Sequence, residues 1–275
     1  MKIEQDRVTE NFADFIRTPK TDGTFAEGLP DTIVIHYTAG SSIEGSIDTF
    51  KDESVRASAH ILIDKDGSIV QMAPFSEITW HAGESAWLDR TALNRYSIGI
   101  EIVNAGRLEK NGNRYRSWFG RTYDENEVVE AIHRNENEIS YWERYSEEQI
   151  ETVFGLCKLL SDTYDIRFIL GHEEISPGRK SDPGPAFPLD KLRERILFAD
   201  RSDTGDNSRD VSEKGVVIAG ALNIRSGPST NHSTIAPPLS RNTGVKIESE
   251  MNGWYKVRVP LTGWVSKQFV KKVDS

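Results

Sequence analysis

One loop carries three side chains whose types and spacing could support metal-dependent chemistry. The segment GHEEISPGRKSDPGPAF places His172, Lys180 and Asp182 directly after the apolar run FIL at 168–170. A neutral imidazole and a carboxylate are good Zn²⁺ ligands, and three protein ligands plus water make a catalytic zinc site. A cation two residues from a ligand can stabilise an oxyanion that forms near the metal. The loop itself supplies only two of the three ligands.

The third ligand has to come from elsewhere in the chain, and His36 is the obvious donor. It stands in TIVIHYTAG, where the β-branched run Thr32–His36 predicts a buried strand. A lone histidine is more often a packed core or surface residue than a metal ligand. His36 and His172 differ from that expectation because each of them ends an apolar strand.

Four segments resemble the zinc-dependent N-acetylmuramoyl-L-alanine amidases, the family that also includes the peptidoglycan recognition proteins and amidase-type phage lysozymes. The segments are TIVIHYTAG, ASAHILIDKDGSIVQMAPFSEITWHAG, YSIGIEIVN and GHEEISPGRKSDPGPAF, and they cover most of residues 30–190. The last of them is the most specific. The resemblance implies one Zn²⁺ per chain, bound by His36, His172 and Asp182, with Asp182 where other members of the family use Cys.

The same resemblance implies catalytic roles for Glu101 and Lys180. Glu101 would be the general acid/base, and Lys180 the cation that faces the carbonyl oxygen of the substrate amide. Glu101 lies in the run Ile98–Val103, where Gly99 and Glu101 alternate with apolar residues as in a half-exposed strand. A side chain that simply faces solvent is therefore the alternative for Glu101.

Substrate contacts are expected from four further side chains: His60, Trp80, His81 and Arg179. Trp80 offers an apolar plate for a sugar ring, and Arg179 could pair with a peptide carboxylate. Packing roles are an equal alternative for these contacts. His133 and His232 belong to no such constellation and are expected on the surface.

The implied function is zinc-dependent hydrolysis of the amide bond between N-acetylmuramic acid and L-alanine in peptidoglycan or muropeptides. The alternative is a non-catalytic peptidoglycan-recognition protein on the same fold. Such proteins lose a zinc ligand, whereas this chain keeps all three together with Glu101 and Lys180. Recycling of small wall fragments is a further interpretation within the enzyme class.

Length and composition predict an ordinary soluble protein of about two domains. The chain has 275 residues, of which 37% are hydrophobic and 28% charged. Cys157 is the one cysteine, which excludes an intramolecular disulfide. No window approaches the roughly 18 apolar residues of a membrane span. The N-terminal MKIEQDRVTENFADF has no apolar h-region, so we expect no signal peptide, synthesis in the cytoplasm, and action at the cell wall after release or non-classical export.

Residues 31–198 predict an α/β (α+β) catalytic domain with a mixed central sheet flanked by helices. An Asp-Gly pair at 66–67 indicates a hairpin, and Ser146–Gln149 forms a capping box ahead of an amphipathic helix. Leu189–Phe198 predicts a closing helix. Residues 1–30 are expected to form a polar leader.

An insertion at about 105–145 interrupts this domain. It is rich in charged and aromatic residues and is predicted to be partly helical around Glu127–Ile139. We expect it either to border the substrate groove or to have no functional role.

Residues 199–213 contain almost no apolar side chains and predict a linker. Beyond it, residues 214–275 show short β runs separated by turn signals, which predicts a small all-β barrel. The segments ALNIRSGPS, NGWYKV and GWV resemble bacterial SH3-type domains, which are commonly cell-wall-binding modules.

The two predicted domains differ in charge. Residues 214–275 hold nine Lys and Arg against three Asp and Glu, a net charge of +6. Because the whole chain has a net charge of −9, the other 213 residues have a net charge of −15. A basic module on an acidic body suggests an anionic partner, and simple solubility is the alternative. We expect the cell wall to be that partner, with no nucleic acid involved.

Overall fold

The central sheet forms from short runs rich in isoleucine, valine and threonine, residue types that pack well on a pleated surface. The computed structural model describes residues 1–9, 13–112, 114–197, 209–217, 219, 221–229, 232–240, 242–251 and 253–259. The chain divides into two units, Met1–Ser202 and Asp203–Ser275. No helix among the described residues is both long and apolar enough to cross a membrane.

The described residues of the first unit form many short strands and four α-helices. Its strands are β1 (Lys2–Glu4), β2 (Arg7–Thr9), β3 (Ala13–Phe15), β4 (Thr21–Thr24), β5 (Thr32–Tyr37), β6 (Ile61–Ile63), β7 (Ile69–Gln71), β8 (Glu77–Thr79), β9 (Ala86–Trp87), β10 (Arg90–Thr91), β11 (Ser97–Ile102), β12 (Arg107–Asn111), β13 (Arg114–Arg116), β14 (Thr122–Tyr123), β15 (Val128–Ile132), β16 (Ile139–Glu143) and β17 (Phe168–Gly171). Its helices are α1 (Ile43–Lys51), α2 (Glu147–Thr163), α3 (His172–Ile175) and α4 (Leu189–Leu197), with 3₁₀ turns at Leu93–Arg95 and Glu125–Glu127.

Six strands form the mixed central sheet, in the order β17-β5-β11-β6-β7-β3. The first four strands are parallel to one another, whereas β6 and β7 are antiparallel. The β6–β7 hairpin turns at Gly67, where φ is 82°, as the Asp-Gly pair predicts. The predicted mixed sheet is therefore confirmed.

Apolar side chains cover both faces of this sheet. On one face, Ile33, Ile35 and Ile100 pack with the apolar stripes of α2 and α4, which include Cys157. On the other face, α1 packs over Leu62 and Val70. The predicted half-exposed strand at Ile98–Val103 is thus wrong, because β11 lies in the middle of a sheet covered on both sides.

The two predicted helices that flank the sheet form where expected. Ser146 caps α2 by accepting from the Gln149 N–H, and Gln149 in turn accepts from the Ser146 N–H. Helix α4 is described as far as Leu197, so Phe198, the predicted last residue of the closing helix, lies outside the described residues.

Residues 1–30 are more regular than the predicted leader. Strand β3 joins the edge of the central sheet beside β7, β4 pairs with β8, and Val8 is buried. This segment therefore extends the sheet of the first unit.

The insertion forms a second, five-stranded antiparallel sheet in the order β14-β13-β12-β16-β15. The predicted helix around Glu127–Ile139 is wrong, because β15 and β16 pair as a hairpin across this segment. The β-branched and aromatic residues of VVEAI and ISYWE favour strands over helices, and the buried ring of Trp142 anchors the sheet.

The second unit is all-β within its described residues. Its strands are β18 (Arg209–Val216), β19 (Ala221–Arg225), β20 (Thr234–Ser240), β21 (Gly244–Met251) and β22 (Trp254–Arg258). They form the sheets β18-β21-β22 and β19-β20, with a turn at Gly253. The predicted linker 199–213 is too long, because β18 begins at Arg209 and pairs with β21. The GWVSKQFV segment of the predicted barrel lies outside the described residues.

Candidate active site

The ends of three parallel strands bring the candidate side chains to one edge of the central sheet. Glu101 and His36 are register partners on β11 and β5, so their side chains point to the same face. On the other side of β5, Gly171 pairs with Ile35, which places His172 beside His36. Carboxyl ends of parallel strands are where open α/β sheets bind their ligands.

His36, His172 and Asp182 converge as the sequence predicts. The His36 Nδ1 lies 2.9 Å from the His172 Nδ1 and 2.8 Å from the Asp182 Oδ2, and the latter two atoms are 2.9 Å apart. All three residues are buried, and together they form a group able to hold a metal ion. Two strand ends and one loop thus present one donor atom each to a common point.

A hydrogen-bonded chain determines which nitrogen of His36 faces this point. The Ser97 carbonyl can only accept, so His81 donates to it from Nε2 across 3.1 Å. Burial, together with the neighbouring His36 and His60, lowers the pKa of His81, which keeps the ring neutral and its Nδ1 an acceptor. The His36 Nε2 therefore donates to the His81 Nδ1 at 3.0 Å, and the His36 Nδ1 keeps a free lone pair.

The outer nitrogen of His172 is held in the same way. Its Nε2 lies 3.1 Å from the Ala82 carbonyl oxygen, which requires an N–H on Nε2. With Nε2 engaged in this way, Nδ1 is the nitrogen that faces the cluster. An outer partner that fixes the tautomer is the usual arrangement around metal-binding histidines.

The charge states of His36 and Asp182 favour cation binding. Burial and the nearby His172 lower the pKa of His36 to about 4, although Asp182 opposes this shift. Burial alone would raise the pKa of Asp182, but the adjacent His172 and His36 hold it well below its usual range. Two imidazole lone pairs and a carboxylate oxygen are therefore the acceptors that meet in one place.

These donors fit a zinc ion. Three acceptor atoms within 2.9 Å of one another repel unless a cation or a proton lies between them. Two imidazoles and one carboxylate are a ligand set of catalytic zinc sites, with zinc–ligand bonds of about 2.0–2.2 Å. The donors have to separate by roughly half an ångström to receive such an ion.

Glu101 and Lys180 lie next to the cluster. The Glu101 Oε2 is buried and has no hydrogen-bond partner among the described residues. Burial, and secondarily the charge of Asp182, raises the pKa of Glu101, while Lys180 partly offsets this shift. Lys180 is exposed, and its charge acts on both Glu101 and His36.

His60 is corrected from a substrate contact to a packing residue. It is fully buried, and its Nε2 donates to the Glu77 carbonyl oxygen at 2.8 Å. Its Nδ1 lies 3.0 Å from both the Thr79 hydroxyl and the Gly99 N–H. With both nitrogens occupied and no exposed surface, the ring has no face for a substrate.

The buried His60 ring predicts acid sensitivity of the first unit. Burial lowers its pKa from 6.5 to about 4, so its contribution to stability is present above pH 6.5 and is lost as pH falls toward 4. Between pH 7 and pH 4.5, the zinc-free wild type is expected to lose about 2–3 kcal/mol more stability than His60→Gln. Urea unfolding at both pH values measures this difference. His232→Gln is the control, and equal losses in wild type and His60→Gln would contradict the prediction.

His81 is likewise corrected, because its ring is buried and both nitrogens are engaged, one of them with His36. The ring fills space beside Gly99, where a Cβ would lie only 2.4 Å from the His81 Cγ. His81 is thus a positioning residue for a metal donor.

Trp80 and Arg179 border the same region, and their substrate contacts stay predictions. Trp80 is partly exposed, and its buried Nε1 has no partner among the described residues. The Arg179 Nη2 donates to the carbonyl oxygens of Ala82 and Glu84 and to the Ser176 hydroxyl, at 3.1, 2.6 and 2.7 Å. Its guanidinium therefore connects the 82–84 segment to the loop 171–187, which carries His172 and Asp182 and is called the metal loop below.

Two sets of contacts around the site were not predicted from the sequence. The Tyr37 hydroxyl pairs with the Ser181 hydroxyl at 2.6 Å, which ties the end of β5 to the residue before Asp182. His133, predicted on the surface, is 2% exposed and pairs with Glu173. The charged and polar residues that follow His133 in the sequence do not indicate that its side chain is buried.

Three protein donors that meet at one point, with the Glu101 carboxyl next to them, suit a single-metal centre of the catalytic kind. The sequence pattern of the N-acetylmuramoyl-L-alanine amidase family matches residues 26–185, and that of the bacterial SH3 domain matches residues 220–271. The chain belongs to the N-acetylmuramoyl-L-alanine amidase family and carries a bacterial SH3 domain at residues 220–271.

Individual relatives agree with this assignment. The chain is 31% identical over 176 residues to the N-acetylmuramoyl-L-alanine amidase AmiD of Escherichia coli K12, which covers 61% of this chain and 53% of AmiD. It is 34% identical over 147 residues to the 1,6-anhydro-N-acetylmuramyl-L-alanine amidase AmpD of the same organism, which covers 53% of this chain and 60% of AmpD. The matched part thus spans little more than half the length of these relatives.

A solved complex of the E. coli AmiD with the substrate anhydro-N-acetylmuramic acid-L-Ala-D-γ-Glu-L-Lys is 30% identical to this chain. It covers 62% of this chain and 60% of that protein, with a TM-score of 0.47.

Proposed function

We propose that this protein hydrolyses the amide bond between N-acetylmuramic acid and L-alanine in peptidoglycan or muropeptides, with one zinc ion per chain. The observation that carries the proposal is the convergence of His36 Nδ1, His172 Nδ1 and Asp182 Oδ2 beside the unpaired Oε2 of Glu101. The alternative, a recognition protein without activity, loses support because every residue of the proposed machinery is present and brought together.

His36, His172 and Asp182 would hold the zinc ion. When bound, zinc supplies a Lewis acid that polarises the substrate carbonyl and lowers the pKa of a coordinated water toward about 7. The chain contributes fixed donor orientation through His81 and the Ala82 carbonyl, so that the donors need little rearrangement.

Glu101 is suited to carry the proton. Burial raises the pKa of Glu101 from its usual value toward neutral pH, and a general acid/base works best when its pKa is near the pH of the reaction. The free Oε2 takes a proton from the attacking water and passes it to the departing nitrogen of L-alanine. Without that proton the nitrogen would leave as an unstable amide anion.

Lys180 is suited to stabilise the negative charge that develops on the carbonyl oxygen. Its ammonium is exposed and close enough to affect the pKa values of Glu101 and His36. A cation placed where charge appears favours the transition state over the bound substrate.

The second unit is proposed to bind the cell wall without taking part in bond cleavage. Its SH3-type sequence and its net charge of +6 over residues 214–275 support this role. A second binding module raises the effective concentration of the catalytic unit at an insoluble substrate. The proposed site of action is accordingly the wall polymer.

Removal of residues 203–275 is expected to weaken attack on whole sacculi while sparing soluble muropeptides. Turbidity loss of sacculi and release of peptide from a soluble muropeptide measure the two activities in parallel. Retention on walls should fall as salt rises, because exposed charges are screened beyond about 8 Å at physiological ionic strength. Equal loss on both substrates would show instead that the second unit supports the folding of the first.

The proposed reaction is tested with zinc-loaded protein and a soluble disaccharide-peptide. Release of the stem peptide with a free L-alanine amino group supports it, provided that a chelator stops the release and added zinc restores it. Binding of the same muropeptide without turnover would favour the recognition protein.

A further inference from the structure

The turn that follows β15 in the insertion lies against the metal loop. The His133 Nε2 lies 2.6 Å from the Glu173 Oε2, and the Arg134 Nε lies 2.7 Å from the Glu173 Oε1. Glu173 directly follows the proposed ligand His172. His133 and Glu173 are each 2% exposed, so these pairs form in the protein interior.

Glu173 also connects the two arms of the metal loop. Its backbone N–H donates to the Asp182 carbonyl oxygen at 2.8 Å, and its Oε2 accepts from the Gly184 N–H at 3.2 Å. One residue therefore joins the segment that carries His172 to the segment that carries Asp182.

Glu174 adds a second set of contacts to the same turn. Its Oε2 accepts from the Gly171 N–H at 2.8 Å, and its carboxylate pairs with Arg134 and Arg193. Arg134 thus contacts both carboxylates that follow His172. The neighbouring Asn135 donates from Nδ2 to the Glu173 carbonyl oxygen at 2.8 Å.

Packing fixes the turn that holds these charges. The His133 ring stacks on Trp142 with a centroid separation of 5.4 Å and an interplanar angle of 22°. Trp142 in turn lies against Gly184 of the metal loop, where a Cβ would come within 2.8 Å of its ring. The insertion and the loop are therefore complementary in shape as well as in charge.

We propose that the insertion is a positioning element of the metal centre, acting through a clamp formed by His133, Arg134, Glu173 and Glu174. This inference rests on the proposed zinc site. Because Glu173 links both ligand segments, the clamp limits how far the segments that carry His172 and Asp182 can move relative to each other. Loss of an outer contact of this kind lowers metal affinity by about 10–100-fold.

Zinc affinity of the full chain, measured by competition with a chromogenic chelator, tests the clamp. Arg134→Ala and His133→Phe are expected to weaken zinc binding by about 10–100-fold. The phenylalanine keeps a ring on Trp142 but removes the hydrogen bond to Glu173. His133→Gln, which keeps an N–H donor, should restore most of the affinity.

Arg121→Ala is the matched control. Arg121 pairs with Glu127 at 3.2 Å within the same insertion, at an exposed position, and that pair has no contact with His133, Trp142, Glu173 or Glu174 among those described. Folded clamp variants with wild-type zinc affinity would overturn the proposal.

Chelator competition needs no substrate, so a wild type that binds zinc without hydrolysing muropeptides would refute the proposed function and leave the clamp intact. If His133→Phe fails to fold, Arg134→Ala decides, because Arg134 is 25% exposed.

An independent observation concerns Trp118, which is 76% exposed although tryptophan is usually well covered. It lies in the turn between β13 and β14, closed by the Gly120 N–H donating to the Ser117 carbonyl oxygen at 2.9 Å. Its Nε1 donates to the Ala39 carbonyl oxygen at 2.7 Å, and Phe119 packs edge-on against its ring. The indole is therefore fixed in place with one face uncovered.

The position of this ring relates it to the proposed catalytic centre. Ala39 lies three residues after His36, so the two Cα atoms are at most about 11 Å apart. We infer that Trp118 forms a stacking surface for a sugar ring of the glycan, next to the N-acetylmuramic acid whose amide is cut. A flat apolar face with its N–H already satisfied suits the C–H face of a sugar.

Binding to Glu101→Gln protein, in which turnover should be slower by about 10²–10⁴, tests this inference. Titration with a disaccharide-peptide should change tryptophan fluorescence, and adding Trp118→Ala should weaken binding by about 5–10-fold. Trp87→Phe, in β9 of the first unit, is the control for removal of an indole. A stem peptide without sugar should bind equally well with and without Trp118. Unchanged affinity for the disaccharide-peptide, or an equal loss for the peptide alone, would overturn the assignment, whether or not the protein proves to be an amidase.

Discussion

His172→Ala is expected to abolish muropeptide hydrolysis and to lower zinc affinity by more than about 100-fold. The substitution removes one of three donor atoms, whereas loss of an outer supporting contact alone costs about 10–100-fold. It also leaves the Asp182 carboxylate without one of the two histidines that hold its pKa low. Zinc content after dialysis and turnover of a soluble muropeptide are the measurements.

The matched control is His232→Ala, which removes an exposed imidazole from the second unit. This variant should keep full zinc content and activity. Wild-type activity in zinc-free His172→Ala protein would refute the metal-dependent mechanism. The second unit of His172→Ala should still bind walls, because the three proposed zinc ligands all belong to the first unit.

Glu101→Gln is expected to retain zinc while turnover falls by about 10²–10⁴, the usual contribution of a positioned general acid/base. The amide keeps the size of the carboxyl but cannot accept or release the proton. Since Glu101 Oε2 is buried without a partner among the described residues, its replacement breaks no hydrogen bond of that atom and should not lower the stability of the zinc-free fold. Zinc content, kcat and urea unfolding together distinguish a catalytic from a structural role.

Glu109→Gln, at an exposed position of β12, is the control for the same chemical change. It should leave zinc content, turnover and stability unaltered. If Glu101→Gln turns over muropeptides like the wild type, Glu101 is structural and another group carries the proton.

The metal donors were predictable because local patterns decide their positions. His36 and His172 each follow an apolar run, and parallel strands place such ends side by side. Asp182 follows from the composition of the same loop. The neighbourhood of Glu101 was harder to predict, since alternation with Gly99 also fits a solvent-facing strand. Only the register of β11 against β5 shows that both residues face the site.

The corrections concern residues whose environment depends on distant segments. His60 and His81 have no periodic signature, and they are buried because β8 and β11 supply carbonyl acceptors from other parts of the chain. His133 is buried only once the insertion packs on the metal loop and Glu173 becomes its partner. Charge-rich composition suggested an exposed, partly helical segment, but pairing of β15 with β16 outweighs that local tendency.

The most direct measurement of the proposed activity is mass spectrometry of a purified disaccharide-peptide after incubation with zinc-loaded protein. We expect two products that together exceed the substrate mass by one water: a disaccharide with a free lactyl carboxylate and a peptide that begins with L-alanine. Both should disappear with chelator and in His172→Ala. An intact substrate, or cleavage at a glycosidic or a different peptide bond, would contradict the assignment of His36, His172 and Asp182 to an amidase centre.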